Sequence, residues 1–432
     1  MTTRRLLVRL LASAEFARAY TLSALTAMFA SFMLSRLTSP VTLVTILALL
    51  ALIGAGMLIA RRDELSLLRF APTSLIVFLA LALLSVLWSS HRLHTVLGWL
   101  ALLGGATIAI TIGHVRDTLQ TVRAIGDTLR WLLAVSLGLE IMSGILLDMP
   151  FTAFGIEGNL ALGGPIQGVF GTRNMLGFIT VVALITFVIE WRTQSVSRPV
   201  GVLSVALGAF LALLSASPTV VVLAAAVGVG TVALTIVRHT PPARLASVQW
   251  VLGGLVAAAL VIAFALRHPI IRMLDAGSDF STRADLWNTI LDYVAEKAVT
   301  GYGWFGTWTG GEYPFMYINF DLSDQHRSAL NAYFDVLLQL GVAGLVLFLV
   351  LGGVATVRSW LVASVRRSVV YAWTPLLLIT LAVESMFESF TLTGSGWMLL
   401  VLCALRAGQT RSWRLNIGDA QTGTIPTLGA QP

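Results

Sequence analysis

Three arginines, Arg173, Arg283 and Arg327, stand just beyond apolar stretches of this sequence, together with His326 and the carboxylates Glu312, Asp321, Asp324, Glu384 and Glu388. A guanidinium is permanently charged and forks onto phosphate oxygens. The three arginines are therefore candidates to bind a phosphate-bearing group and to offset charge on it as a bond breaks. They read equally as interfacial anchors that snorkel to headgroups. Proton abstraction is served best by a base near neutral pKa, for which His326 is the simplest candidate. Glu384 is a further candidate, for a catalytic or Arg-pairing role. An acid at the centre of a membrane helix costs about 2.5 to 3.5 kcal/mol, so acids near membrane depth are commonly functional. Glu384 and Glu388, four apart, share one helical face. Asn331 and Tyr333 can orient a hydroxyl, and Asn331 can equally cap a helix. No group of His, Cys and carboxylates has metal-ligand spacing and no nucleotide-type Gly-rich loop occurs, so a reaction without metal or cofactor is expected.

The elements that must position these residues are membrane helices. Of the 432 residues, 57% are hydrophobic and only 11% charged, against about 25% charged in soluble proteins. The net charge of +7 is spread in small groups beside apolar stretches rather than gathered in a patch, which argues against nucleic acid as a partner. The single cysteine, Cys403, lies in an apolar stretch and excludes a disulfide framework. The chain is therefore expected to be an all-α, polytopic transmembrane bundle with membrane lipid as its main solvent.

A bilayer core of about 30 Å needs roughly 20 apolar residues as helix, and about twelve stretches qualify. Among them are spans placed at Leu129 to Leu147 and Asn331 to Val354. With twelve spans, twenty of the 28 basic residues fall on one side of the membrane, which puts both termini in the cytoplasm. The expected organisation has a cytoplasmic interfacial helix at 1–19, helices one to nine at 20–267 and a periplasmic loop at 268–330. Helices ten to twelve follow at 331–406, and a cytoplasmic tail at 407–432.

Two outward connections are long, and long ordered loops are usually functional. The first, from Asp148 to Arg173, is Gly-rich and almost uncharged, and is expected at or dipping into the interface, with Arg173 and Asn174 at the mouth of a span. The second carries an amphipathic helix over 281–297, capped by Asp279 or Ser281. Leu286, Trp287, Ile290, Leu291 and Val294 form its apolar face, so it is expected to rest on the membrane as a lid. The Gly and aromatic run after it places Tyr302, Trp304, Phe305 and Trp308 near headgroup level, as an aromatic belt or as rings that stack on sugar.

Three blocks, GVFGTRNMLGF at 168–178, STRADLWNTILDYVAEKAVTGYGWFGTW at 281–308 and LNAYFDVLLQLGVAGLVLFL at 330–349, give the sequence a family resemblance. In order and spacing they resemble the O-antigen ligase and polymerase superfamily of bacterial inner-membrane glycosyltransferases. LLSASPTVVVLAAA from Leu213 and VESMFES from Val383 are weaker likenesses. The ligases have a His followed by Asn or Ser, nine residues, and Gly-x-x-Gly. Asn331, Gly341 and Gly344 fit that spacing, but Leu330 stands at the His position. Leu cannot take a proton, which shifts the expectation from a ligase toward an exopolysaccharide-type polymerase.

The resemblance implies a polyprenyl-pyrophosphate-linked oligosaccharide as donor, bound on the periplasmic face of the inner membrane. A flippase and a chain-length regulator are the partners a polymerase would be expected to have. The site residues expected are then His326, Arg283 and Glu384 for catalysis. Arg173, Asn174, Arg327, Asn331, Tyr333, Tyr302 and Trp287 are expected to bind substrate. A ligase that moves glycan from the same carrier to a lipid or protein is the alternative, and a lipid-linked oligosaccharide flippase a second one.

Overall fold

The computed structural model describes residues 3–62, 70–266, 277–366 and 368–409. The described residues are helical, with one isolated bridge between Phe151 and Ile156 and no strand. In chain order the helices are α1 (Thr3–Ala12), α2 (Ala14–Phe29), α3 (Ser31–Leu37), α4 (Pro40–Ala60), α5 (Thr73–Leu84), α6 (Arg92–Val115), α7 (Thr118–Ile141) and α8 (Arg173–Arg192). They continue as α9 (Arg198–Leu214), α10 (Pro218–His239), α11 (Pro242–Ala265), α12 (Gly277–Glu296), α13 (Phe315–Leu322), α14 (Ala332–Val365), α15 (Val370–Glu384) and α16 (Gly394–Gln409). Among the described residues six helices are long and apolar enough to cross a membrane: α4, α6, α7 with its continuation to Leu146, α8, α10 and α14. Shorter apolar helices include α5 with its extension to Leu87, α9, α15 and Ala243–Ala258 within α11. Most of the expected tail, 410–432, lies outside the described residues, as do Arg267 and Arg272.

Local sequence sets the starts. Ser39 accepts from Thr42 N with Pro40 at the first position of α4, and Thr172 accepts from Met175 N at the start of α8. Asp117 and Gln120 form a reciprocal capping box on α7. That box starts α7 eleven residues before the expected span at Leu129, because a polar first turn with good caps is as helical as the apolar run after it. α16 is the most enclosed helix, with every residue from Ser395 to Ala407 buried, and Trp397 donates to the Leu102 carbonyl of α6 at 2.9 Å.

α14 departs from the expected span at Asn331 to Val354. It runs to Val365 and is broken at Gly341, where φ is 65° and ψ −167°. The segment after α12 fills the break. Val342 N donates to Ala298 O at 2.8 Å, Tyr302 N to Leu338 O at 3.2 Å and Gly303 N to Gln339 O at 2.8 Å. Backbone groups freed inside an apolar bundle are thus satisfied by loop backbone rather than left bare. A Cβ at Gly341 would collide with the Val299 carbonyl, and its backbone conformation is one that only glycine adopts readily. Gly341→Ala is expected to destabilise by at least about 1 to 3 kcal/mol, read as a lower melting temperature in detergent.

The loop between α11 and α14 differs from a lid lying on lipid. Leu286, Ile290 and Val294 of α12 are buried, but against Tyr302, Phe305, Trp308, Phe315 and Ile318 of the same loop. Tyr302, Trp304, Phe305 and Trp308 are each at most 6% exposed, so these rings are core rather than a belt. Helical periodicity fixes that a face is apolar and leaves open which apolar surface covers it. α12 also begins at Gly277, ahead of the expected caps.

Candidate functional site

The cluster is built where the starts of α8, α10 and α14 meet the end of α15, with α12 above them. Thr172 caps α8 and so fixes Arg173 and Asn174 in its first turn. Asn174 donates from Nδ2 to Glu388 Oε1 at 2.7 Å and accepts from Ser217 Oγ, at the start of α10, at 2.8 Å. Arg283 of α12 donates from Nη2 to the same Glu388 oxygen at 2.9 Å. Its Nη1 donates to the carbonyls of Leu330, at 3.1 Å, and Phe387. Glu388 is therefore the hub at which two distant segments converge.

Asn331 caps α14, as one of its expected roles required, accepting from Tyr333 N and Phe334 N. Its Nδ2 reaches across to Met386 O at 3.0 Å, Ala332 N donates to Ser385 O at 2.8 Å, and the Tyr333 hydroxyl donates to Ala382 O at 2.8 Å. The start of α14 is thereby fastened to the turn after α15. Within that turn Glu384 is fully buried, and neither of its carboxyl oxygens has a hydrogen-bond partner. Arg283 and Glu388 are the charges that act on it. Among the buried carboxyls of the described residues it is the one with both oxygens unpartnered.

A second polar layer holds the loop in place. Asp335, fully buried, accepts from Trp308 Nε1 at 2.6 Å, Gln339 Nε2 at 2.9 Å and Ala329 N at 3.2 Å. Gln339 Oε1 in turn accepts from Phe305 N and Gly306 N. On the α6 side, His91 and His94 both face Glu312, whose other oxygen accepts from Thr309.

The expected site residues divide accordingly. Arg283, Asn174, Asn331, Tyr333 and Glu384 share the α15 turn, with half-buried Arg173 next to Asn174. Trp287 is used structurally, donating to Ala329 O at 2.9 Å and stacking on Phe334 at 5.4 Å. Tyr302 is enclosed in the loop core, donating to Tyr293 O and Glu296 Oε2, so its ring offers no face to a sugar. Burial pushes the Tyr302 phenol up and that of Tyr293 up to about 12, while hydrogen bonds from Tyr313 and Tyr302 hold Glu296 below the usual carboxylate range. The His326 ring faces Asp324 at 3.3 Å, its main chain is clasped by Asn319, and no described contact joins it to the Arg283 cluster. Arg327 is exposed.

Glu388, Ser217, Asp335 and Gln339 were not among the expected site residues. The four-residue spacing of Glu384 and Glu388 was the available signal for the first. Glu140, on α7, is another such residue: its Oε1 accepts from Gln167 N at 3.1 Å and Gly168 N at 2.9 Å. Together with Ser136, which accepts from Val169 N, it pins the Gly-rich connection ahead of Arg173 to the bundle.

With this geometry in place, residues 203–349 match a family model described as O-antigen ligase. The matched segment runs from α9 into α14 and contains Ser217, Arg283, His326 and Asn331, whereas Asn174, Glu384 and Glu388 lie outside it. No curated protein matches the chain.

Proposed function

From the premise that its O-antigen ligase segment places the chain in the O-antigen ligase/polymerase superfamily, we propose that it is a polysaccharide polymerase. It joins polyprenyl-pyrophosphate-linked oligosaccharide units on the periplasmic face of a bacterial inner membrane, supplied by a flippase and limited by a chain-length regulator. The observation that carries this reading is the junction of Arg283, Glu388 and Asn174 beside the unpartnered carboxyl of Glu384.

In the transfer, an acceptor hydroxyl attacks the anomeric carbon of the donor sugar. Its proton passes to Glu384, the bond from sugar to diphosphate breaks, and the electron pair leaves with the diphosphate. Arg283 and Arg173 meet the charge that builds on the leaving group, which is where fixed cations contribute most. Asn331 and Asn174 hold the surrounding backbone and carboxyl in register, and Arg327 at the exposed rim draws in the anionic carrier. Leu330 supplies no proton acceptor, but its main chain, at φ 48°, directs its carbonyl to Arg283.

Ligation to a lipid or protein acceptor is the second reading, favoured by the description of the matched family. The two part company in the products. A strain lacking the protein loses long chains if it is a polymerase and accumulates full-length carrier-linked polymer if it is a ligase. Purified protein given a synthetic carrier-linked repeat unit is expected to yield a ladder of products. That ladder is expected to be unchanged by a chelator of divalent cations, since among the described residues no group of His, Cys, Asp and Glu could hold a metal ion. Loss of the ladder on chelation would end the metal-free reading.

A further inference from the structure

At the other end of α7 and α8 from Asn174, a cavity of about 280 Å³ opens between α2, the turn joining α6 to α7, and the first turns of α7. It is lined by Arg18, Arg116 and Arg123, with Leu22, Gln120, Ala124 and Asp127. Three guanidinium groups thus face one carboxylate, and that carboxylate is engaged: Asp127 Oδ1 accepts from Arg130 Nη1 at 2.7 Å. Asp117, beside the cavity, is occupied in the capping box with Gln120. Among the described residues Arg18, Arg116 and Arg123 make no salt bridge, Asp117 and Glu190 acting on Arg116 and Arg123 only from a distance, and the buried Nε of Arg116 has no hydrogen-bond partner. Burial pushes the Arg116 guanidinium down from its ordinary value against the pull of Asp117, and the neighbouring charge of Arg18 adds to the downward shift. The main chain of Arg116 is fixed in place, its carbonyl accepting from Arg406 Nη2 at 2.6 Å.

We propose that this cavity binds a phosphate-bearing anion, at a site separate from the Arg283 cluster. Converging guanidinium groups match phosphate oxygens bidentately, and the volume lies near the lower end of the roughly 300 to 1,000 Å³ usual for small-molecule pockets. Leu22 and Ala124 give the cavity an apolar wall beside the arginines, which suits a headgroup with chains running along α2 as well as a free phosphate.

The test uses the full chain in detergent. Native mass spectrometry after titration with phosphatidylglycerol or phosphatidylcholine reads lipid retention, and a melting-temperature series with inorganic phosphate reads the soluble anion. Phosphatidylglycerol retained over phosphatidylcholine, and weakened about tenfold or more by Arg116→Gln with Arg123→Gln, assigns a lipid headgroup. A phosphate-dependent rise in melting temperature that the same double variant abolishes assigns a free phosphate. Arg36→Gln with Arg92→Gln, two exposed arginines outside the cavity, is the control and is expected to bind as the parent does. If the double variant folds no longer, Arg123→Lys keeps the charge and is expected to keep binding while Arg123→Gln loses part of it. Equal retention of both lipids with no phosphate response, or binding indifferent to every cavity substitution, overturns the proposal.

Discussion

Replacing Arg283 with alanine is expected to lower glycan transfer by about 10²- to 10³-fold, the loss seen when one preorganised charge-stabilising donor is removed from a reaction centre. The same change has a structural cost, because it leaves Glu388, about 5% exposed, with only the Asn174 amide and frees the carbonyls of Leu330 and Phe387. Breaking one side of a buried pair typically costs about 3 to 5 kcal/mol. Two further variants separate the effects. Arg283→Ala with Glu388→Gln removes the stranded charge and is expected to regain most of the melting temperature without regaining transfer. Arg283→Lys keeps a cation but not the fork that reaches one carboxylate and two carbonyls at once, and is expected to stay at least about tenfold slow. Transfer by Arg283→Ala at close to the parental rate, measured on a synthetic carrier-linked unit, would remove the arginine from the chemistry.

Glu384→Gln is expected to cost about 10²- to 10⁴-fold in transfer, the range for loss of a general base, with donor binding retained. Its melting temperature is expected to hold or rise. The amide is nearly isosteric, and the parental carboxyl is fully buried with neither oxygen hydrogen-bonded, so the substitution removes a buried ionisable group that the fold does not use. His326→Ala, made in parallel, is the decisive companion, since its ring faces Asp324 away from the described contacts of Arg283. Near-parental transfer in His326→Ala with collapse in Glu384→Gln places the base on α15. The opposite result would return it to the loop histidine.

Much of this arrangement is written locally in the sequence. Each long apolar run became helix, the amphipathic pattern around Arg283 became α12, and Asn331 became a cap because its side chain can accept from the two amides that follow. Arg283 was legible as a candidate because its charge type suits few purposes beside a membrane, and the structure joins it to Glu388. What stayed hidden depends on partners far away in the chain. Glu388 looks like any carboxylate until Asn174 and Arg283 arrive, and Asp335 reads as an ordinary first-turn acid until Trp308 and Gln339 enclose it. The aromatic run after α12 has a composition that serves a headgroup belt and a small core equally. Only the contact with Leu286, Ile290 and Phe315 chooses between them.

The break at Gly341 bears on how the protein is made. Because residues 298–303 complete the backbone pairing of the broken helix, the first turns of α14 have no finished partner until the preceding segment has folded. The hairpin should therefore stay half-formed until the segment after α12 has folded against the break. Grafting this loop onto a relative, or exchanging α14 alone, should yield misassembled protein unless both pieces travel together.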